Sequence, residues 1–455
     1  MKKLIHLNLI LFFIAFSFNS CTDETSDSKE SQNENNLVNE WIYDIMINDY
    51  YWYNTIDNHT VPDSEYPEDY FYSLVYDEED KWSYISDDFW GLMGDLMGTP
   101  VSMGYSPAFG QITGTNNVFM VIEYVYPDSP ADRAGLKRGD LILEINDIQL
   151  NINNFVDLYN SKNQKIKLAY ISEGEIYPGN TTFSMSAEQL DINPALYKTL
   201  FVENGVNVGY LVITEFIDHK KFIHDVGESL IDLKNSGARE LIIDLRYNGG
   251  GYITSAQWLA SAIAPTAVVS NESLLTKLNY NDKLELTIKP EDKSYLMVEN
   301  SVNFDLDKVV FLTAHGTASA SELVIIGLDP YMEVIQVGDT TYGKYTGSMV
   351  YADMHIPPQH NWAMMPIIMK YANANGFSDF KNGLIPDYYM PDELLAGYPF
   401  GDINDPMLTK ALEICTGSIV AKSSNLQVKS QVKYTNLFTR NQLNKMNLII
   451  PSENN

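Results

Sequence analysis

The chain has 455 residues, 45% of them hydrophobic and 12% aromatic, which is enough apolar material for more than one packed domain and excludes a largely disordered chain. Its 30 lysines and arginines stand against 60 aspartates and glutamates, and this net charge of −30 excludes nucleic acid as an expected partner. The two cysteines, Cys21 and Cys415, cannot build a disulfide framework, and since the sequence lacks zinc-site spacings we expect neither a metal nor a cofactor.

The amino terminus has the layout of a secretory signal. A pair of lysines precedes an apolar stretch at 9–16, which is followed by small or polar residues up to Cys21. The stretch is far shorter than the roughly 18 residues of a membrane-spanning helix, so residues 1–20 are predicted to be a signal peptide. Residues 21–36 are predicted to form a flexible acidic tether. Residues 22–36 contain no apolar side chain, so this segment cannot bury the surface that would order it.

Cys21, directly after a small residue at the end of this signal, resembles the lipid-attachment site of bacterial lipoproteins. Phe18 departs from the leucine usual three residues before that cysteine. The resemblance implies that the protein is secreted across the inner membrane. It also implies that a lipid anchors the protein to a bacterial membrane, the outer membrane, where the protein faces either the periplasm or the cell surface. An ordinary signal with an incidental cysteine is the alternative.

A small helical domain is predicted for residues 37–95. From Val38 to Met46, apolar residues recur at i, i+3, i+4, i+7 and i+8, the spacing of an amphipathic helix. Pro67, followed by two acidic residues, is typical of a second helix start.

Residues 96–175 change to short strands with tight turns and are predicted to form a β-rich module. The predicted strands are 118–125, 141–145 and 166–170, with a turn and short helix at 127–135. The stretch SPADRAGLKRGD, residues 129–140, closely resembles the most recognisable segment of PDZ domains. A PDZ domain adds a peptide as an extra strand and captures its terminal carboxylate on backbone N–H groups, and Gly104-Tyr105 is our candidate for that peptide-binding loop.

Residues 176–420 alternate predicted strands and helices, the pattern of an α/β domain with both sheet faces covered. The predicted strands are 208–213, 240–245 and 308–312, and the predicted helices are 221–235 and 255–263. The chain is therefore predicted to be multidomain, with an N-terminal helical segment, a β-rich PDZ domain and an α/β domain. Residues 421–455 are assigned to a C-terminal tail.

Three consecutive glycines, residues 249–251, lie where a buried predicted strand ends and a helix follows. Glycines allow unusual backbone angles, and free N–H groups at a helix start can hold an anion or a developing oxyanion. A phosphate-binding loop is disfavoured because the Gly-Lys-Ser/Thr ending is missing, whereas a purely structural turn remains open.

A serine, Ser319, lies among small residues at a second predicted strand-to-helix junction. Small neighbours would let a substrate carbonyl approach its hydroxyl. The alternative is a helix cap in which Glu322 completes a capping box from Ser319.

A lysine, Lys344, follows Gly343 shortly after the apolar segment 334–337. Lysine acts as a general base only when it is neutral, which requires burial or positive neighbours. A solvated surface lysine is the alternative.

Together these elements resemble the C-terminal processing peptidases, or tail-specific proteases, which use a Ser/Lys dyad. Lys344 lies 25 residues after Ser319, the separation found in that family, and the order of helical segment, PDZ and α/β catalytic domain is also the family's. The resemblance covers roughly residues 37–417. It implies that Ser319 is the nucleophile, that Lys344 is the general base, and that the N–H groups of Ala320 and of Gly250 or Gly251 form the oxyanion hole.

One position departs from the family pattern. Many members carry a glutamine four residues after the lysine, and this chain has Ser348 there, so either Ser348 substitutes or another group positions Lys344. His315 and Glu322 suggest a Ser/His/Glu arrangement like that of the related tricorn-type proteases, but His315 is only four residues before the serine.

The expected function is that of a serine endopeptidase acting on proteins or peptides with exposed C-termini. Two alternatives remain open on the same fold. One is a catalytically silent binder of peptides or hydrophobic ligands, similar to the repeats of the interphotoreceptor retinoid-binding protein. The other is an interaction scaffold that uses the PDZ domain alone.

Overall fold

The computed structural model describes residues 24–57, 61–62, 65–419, 432–439 and 449–450. The predicted signal peptide and Cys21 therefore lie outside the described residues. Within them the chain forms an N-terminal helical segment, a β-rich module and an α/β domain, which confirms the predicted fold class. None of the described helices combines the length and the apolar character needed to cross a membrane.

The N-terminal segment is built around one long helix. Its elements are α1 (Glu24–Asn48), α2 (Pro67–Leu74), β1 (Tyr84–Ser86) and α3 (Phe89–Met97). Val38, Ile42 and Met46 of α1 are fully buried, as their spacing predicts.

The start of α1 corrects the predicted tether. The helix begins at Glu24, so most of the segment up to residue 36 is helical rather than flexible. This segment contains no glycine or proline, so nothing interrupts the turns that lead into the buried part of α1.

The β-rich module is a mostly antiparallel sheet with two short helices. Its elements are β2 (Val101–Ser102), β3 (Tyr105–Ile112), β4 (Val118–Val125), α4 (Pro130–Ala134), β5 (Leu141–Ile145), β6 (Ile148–Gln149), α5 (Phe155–Tyr159), β7 (Asn163–Ser172), β8 (Glu175–Ser186) and β9 (Glu188–Gln189). The strands lie in the order β3-β4-β5-β7-β8, so β3 is the last strand of this run and one of its edges is not paired by the other four.

The α/β domain holds the largest core. Its elements are β10 (Ala195–Glu203), β11 (Val206–Ile213), α6 (His219–Asn235), β12 (Glu240–Asp244), β13 (Gly251–Tyr252), α7 (Ile253–Ile263), α8 (Thr266–Ser270), β14 (Leu274–Tyr280), α9 (Leu284–Thr287), β15 (Ser294–Leu296), β16 (Lys308–Thr313), α10 (Ala320–Leu328), β17 (Glu333–Gly338), β18 (Thr346–Ser348), β19 (Tyr351–Ala352), β20 (Ala363–Met365), β21 (Ile367–Ala372), β22 (Tyr388–Tyr389) and α11 (Pro406–Thr416). The main sheet has the order β10-β11-β12-β16-β17-β22 and is parallel from β11 onward.

Strands of the α/β domain also take part in two smaller sheets. One has the antiparallel order β15-β14-β21-β18. The other pairs β1 of the N-terminal segment with β20, and β20 with β19, so the N-terminal segment joins the α/β domain through a shared sheet.

The C-terminal segment returns to both halves of the molecule. Its described strands are β23 (Tyr434–Thr439), which lies against β3, and β24 (Ile449–Ile450), which pairs in parallel with β13. The region assigned to a tail therefore contributes strands to two sheets.

Candidate active site

Ser319 lies on a sharp turn between a strand and a helix. β16 ends at Thr313, α10 begins at Ala320, and Ser319 has φ 60° and ψ −113°. A non-glycine residue with positive φ is strained, and such strain is typical of nucleophiles presented at strand-to-helix turns. Ser319 is 0% exposed, and its hydroxyl has no hydrogen-bond partner in the described part of the chain.

Lys344 is also fully buried. Its Nζ has no hydrogen-bond partner among the described residues. Burial lowers the pKa of Lys344 to about 7, and the negative charges of Asp80 and Glu322 only partly oppose this change. The lysine can therefore lose its proton near neutral pH, as a general base must, and the solvated alternative is wrong.

Glu322 joins these two residues through their backbones. Its Oε2 accepts hydrogen bonds from the N–H of Ser319 at 2.7 Å and from the N–H of Lys344 at 2.9 Å. Its Oε1 accepts from the Gly343 N–H at 2.7 Å and from the Thr341 hydroxyl at 2.5 Å. Burial raises the pKa of Glu322 to about 7, while these donors favour the ionised carboxylate.

Tyr371, on β21, makes a second bridge between Ser319 and Lys344. Its hydroxyl lies 2.7 Å from the carbonyl oxygen of Lys344 and 3.1 Å from that of Ser319, and it donates to both. Burial raises the pKa of Tyr371 well above its usual value, so the hydroxyl stays protonated. Because Lys344 is held at both its N–H and its carbonyl, its backbone position does not depend on Ser348.

Ser348 does not replace the glutamine in this conformation. It is 0% exposed, and its hydroxyl has no hydrogen-bond partner in the part of the chain that is described. The nearby Thr346 is also fully buried, and its hydroxyl likewise has no hydrogen-bond partner among the described residues. The second interpretation, that other groups position Lys344, agrees with the contacts of Glu322 and Tyr371.

His315 lies apart from the serine. It is exposed, and its ring packs edge-on against Tyr342 with 5.7 Å between ring centroids. Glu322 meanwhile accepts backbone and threonine hydrogen bonds. The geometry therefore gives the Ser/His/Glu arrangement no support.

The three-glycine loop is anchored by a buried ion-pair cluster. Arg246 binds Asp244 at 2.7 Å and Asp405 at 2.9 Å, and the three side chains are almost fully buried. Gly250 and Gly251 follow with φ of 110° and 138°, angles that favour glycine. A Cβ on Gly251 would lie 2.1 Å from the carbonyl oxygen of Phe216.

Asn248 locks the glycine loop to the serine loop. Its carbonyl accepts hydrogen bonds from the Ala318 N–H and from the Ser321 hydroxyl, each at 3.0 Å. Its side-chain Oδ1 accepts from the Gly250 N–H at 2.9 Å. The Gly250 N–H is therefore already engaged, which corrects its assignment and leaves Gly251 and Ala320 as the oxyanion-hole candidates.

The N-terminal segment supplies a buried carboxylate near the lysine. Asp80 accepts hydrogen bonds from the hydroxyl of Tyr50 at 2.9 Å and from the N–H groups of Trp82 and Ser83. Its negative charge raises the pKa of Lys344 against the effect of burial. Nothing in the sequence around Asp80 indicated this role, because the contact is set by tertiary structure.

Gly104 and Tyr105 lie at the start of β3, the position expected of a carboxylate-binding loop. Gly104 has φ 81°, and a Cβ there would lie 2.2 Å from the Ser129 Cβ. The Gly104 N–H donates to the Ser102 hydroxyl at 3.1 Å, and the Tyr105 hydroxyl donates to Gln164 at 2.7 Å. The Gly104 N–H is thus satisfied internally, so a carboxylate must displace Ser102 to use it.

Arg138 connects the β-rich module to the glycine loop. It donates to the Tyr247 hydroxyl at 2.6 Å and to the Tyr398 carbonyl at 2.8 Å. Tyr247 is next to Arg246 in the chain and also donates to Asp392. The β-rich module therefore contacts the segment that carries the candidate oxyanion hole.

Three protein-family models match parts of this chain. Residues 207–390 match peptidase family S41, residues 121–168 match a PDZ domain, and residues 38–84 match the peptidase S41 N-terminal domain. These matches make the chain similar to S41 peptidases over its N-terminal and α/β segments and to PDZ domains over part of its β-rich module.

Named proteases are among its relatives. The chain is 24% identical over 344 residues to the carboxyl-terminal-processing protease of Synechocystis sp., covering 73% of this chain and 72% of that protein. It is 27% identical over 223 residues to the carboxy-terminal processing protease CtpA of Bacillus subtilis, covering 48% of this chain and 43% of that protein. A crystal structure described as an S41 protease from Bacteroides fragilis NCTC 9343 superposes with a TM-score of 0.67 at 27% identity, covering 83% of this chain and 97% of that one.

Proposed function

We propose that this protein is a serine endopeptidase of the C-terminal processing type that works through a Ser319/Lys344 dyad. One observation carries the proposal. The side chains of Ser319 and Lys344 are fully buried and have no hydrogen-bond partner in the described structure. The backbones of the same two residues are held together by hydrogen bonds to Glu322 and Tyr371. A buried hydroxyl and a buried amine without partners cost stability, and such a cost is characteristic of groups kept for chemistry.

The dyad performs acyl transfer in two steps. Neutral Lys344 takes the proton of the Ser319 hydroxyl as Oγ bonds to the carbonyl carbon of the substrate, and the N–H groups of Gly251 and Ala320 stabilise the oxyanion. The C–N bond then breaks as Lys344 gives the proton to the leaving amine. Water, deprotonated by the same lysine, hydrolyses the acyl-enzyme and restores Ser319.

Substrate recognition is assigned to the PDZ domain. A PDZ domain binds an extended peptide by adding it as a strand, so proteins or peptides with exposed, apolar C-termini are the proposed substrates. The contact of Arg138 with Tyr247 gives the domain a physical connection to the glycine loop.

We also propose that Cys21 anchors the protein to a bacterial membrane. The support is the sequence pattern alone, since Cys21 lies outside the described residues.

The test is cleavage of an unfolded protein with an apolar C-terminus, followed by mass spectrometry of the new chain ends. Wild type should cleave it, while Ser319→Ala and Lys344→Ala should not, because nucleophile and base act as one unit. Exposed residues provide matched controls, so Ser270→Ala and Lys220→Ala should cleave like wild type. Full activity of either dyad variant would refute the proposal.

A further inference from the structure

The edge of β3 that faces away from β4 is occupied by the chain's own C-terminal segment. β23 pairs antiparallel with β3 along this edge, with Tyr434 opposite Ile112 and Thr439 opposite Ala108. Strand addition of this kind is how PDZ domains bind peptides. β23 also runs toward the Gly104-Tyr105 end of β3, the direction expected of a peptide whose carboxylate binds that loop.

Side chains of this segment pack on the PDZ domain as those of a ligand would. Leu437 lies against the hydrophobic cluster that includes Phe109 and Phe155. The Tyr434 ring meets Phe119 edge-on, with 5.1 Å between centroids. The carbonyl of Lys433 accepts a hydrogen bond from the Thr113 N–H at 3.0 Å, which extends the ladder.

The same segment reaches the active site further along the chain. Backbone pairing places Ile449 opposite Gly251 and Ile450 opposite Tyr252, beside the candidate oxyanion hole. β24 also lies close to β18, the strand that follows Lys344. A substrate must approach the same surroundings, and Ser319 and Lys344 are 0% exposed in this arrangement.

A cavity of about 400 Å³ lies between β23 and the loop that leads to Ser319. Tyr434 and Leu437 line one side of it, and His315 and Gly316, in the loop that leads to Ser319, line another. Movement of β23 would therefore change the surroundings of the serine loop as well as the PDZ edge.

We propose that residues 434–439 are an intramolecular peptide ligand of the PDZ domain and that residues 449–450 extend this self-binding to the active-site glycines. Peptides that compete for this edge of β3 should carry an aliphatic residue at the position of Leu437 and an aromatic residue at the position of Tyr434. The effect on cleavage rests on the proposed function, whereas the binding itself does not.

Binding is measured first, in the Ser319→Ala background, where no cleavage can interfere. A fluorescein-labelled peptide VKYTNLFT, residues 432–439, is titrated with the full chain, with Leu437→Asp and with Leu286→Asp. Leu286 is 87% exposed, so Leu286→Asp makes the same leucine-to-aspartate substitution at a site that does not touch the PDZ domain and serves as the control. The Leu437→Asp chain should bind the peptide roughly tenfold more tightly than the other two, because its own segment no longer competes.

Two results would overturn the proposal. Equal peptide affinity in all three chains would mean that the segment does not occupy the edge, and no binding to Leu437→Asp would mean that the edge does not accept this sequence. The peptide with aspartate at the leucine position should bind none of them. Hydrogen exchange checks folding, since amides of β3 should lose protection in Leu437→Asp while those of β11 keep it.

Cleavage is measured second, with Ser319 present. Leu437→Asp should raise kcat/KM for a peptide substrate several-fold, mainly by lowering KM, and Leu286→Asp should not. An unchanged kcat/KM alongside enhanced peptide binding would refute the competition with substrate. Enhanced peptide binding without cleavage in any chain would instead refute the proposed peptidase and leave the self-binding intact.

Discussion

The backbone N–H groups of Ser319 and Lys344 donate to the same oxygen atom, at 2.7 and 2.9 Å. That oxygen is Oε2 of Glu322, whose side chain is fully buried. The relative position of the candidate nucleophile and base is therefore set by a shared backbone acceptor and not by contact between their side chains.

Glu322→Gln should leave one of the two sets of donors around this side chain without an acceptor. An amide NH₂ would face backbone N–H groups that need an acceptor, so we expect the free energy of unfolding to fall by roughly 1–3 kcal/mol and activity to fall with it. Loss of the carboxylate charge should also lower the pKa of Lys344 further, which moves the acidic limb of the pH–rate profile to lower pH. Urea unfolding and the pH–rate profile measure the two effects.

Glu333 provides the matched control. It is exposed, so Glu333→Gln should change neither stability nor the pH profile. An acidic limb that stays in place in Glu322→Gln would show that the carboxylate does not act on Lys344.

Lys344 should make stability depend on pH. Its pKa is about 7 in the folded chain and 10.5 for an ordinary lysine, so between these values the unfolded chain binds more protons than the native one. The free energy of unfolding should therefore rise with pH across this interval, and Lys344 should cause no further change in it below about pH 7 or above about pH 10.5. Lys344→Met should remove that part of the rise, as measured by urea unfolding at two pH values within the interval.

Lys220→Met serves as the control for this measurement, because Lys220 is exposed. It should keep the wild-type pH dependence. Identical pH dependence in Lys344→Met and wild type would mean that Lys344 is not shifted in the native state.

Arg138→Lys should weaken the connection between the PDZ domain and the glycine loop. A lysine cannot reproduce the planar set of donors that reaches both Tyr247 and the Tyr398 carbonyl. We expect kcat to fall more than KM rises, since the loop that carries Gly251 loses a support. Arg133→Lys, at a surface ion pair whose arginine is 53% exposed, should leave both constants unchanged. A change in KM alone would contradict this positioning role.

Cys21→Ser should release the protein from the membrane fraction or block its signal processing. Cys415→Ser should do neither, because Cys415 is a buried residue of α11. The measurement is metabolic labelling with a fatty acid followed by fractionation. A freely soluble, unlabelled wild-type protein would rule out the anchor.

Local sequence patterns predicted the elements that carry the candidate site. The strand predicted at 118–125 is β4, residue for residue, and the predicted strand at 308–312 is β16 without its last residue. Glycine and small-residue motifs marked the loops of Gly251 and Ser319, because turns with unusual backbone angles restrict residue type strongly.

Contacts that depend on tertiary structure escaped prediction. Tyr371 lies in a buried strand with nothing to distinguish it from a core tyrosine, and Asp80 lies 264 positions before Lys344 in the chain. The pairing of β23 with β3 joins residues more than 300 positions apart. Periodicity within a short window carries no information about such partners.

The most direct measurement is labelling of the full chain with a fluorophosphonate probe, located by mass spectrometry and followed against pH. We predict a single adduct on Ser319 in the wild type, and the rate of its formation should increase as pH rises through about 7. The same adduct should form more rapidly in Leu437→Asp. The adduct should be absent from Ser319→Ala and from folded Lys344→Met. No adduct on Ser319 in either the wild type or Leu437→Asp, or an equally fast reaction in Lys344→Met, would contradict the Ser319/Lys344 dyad.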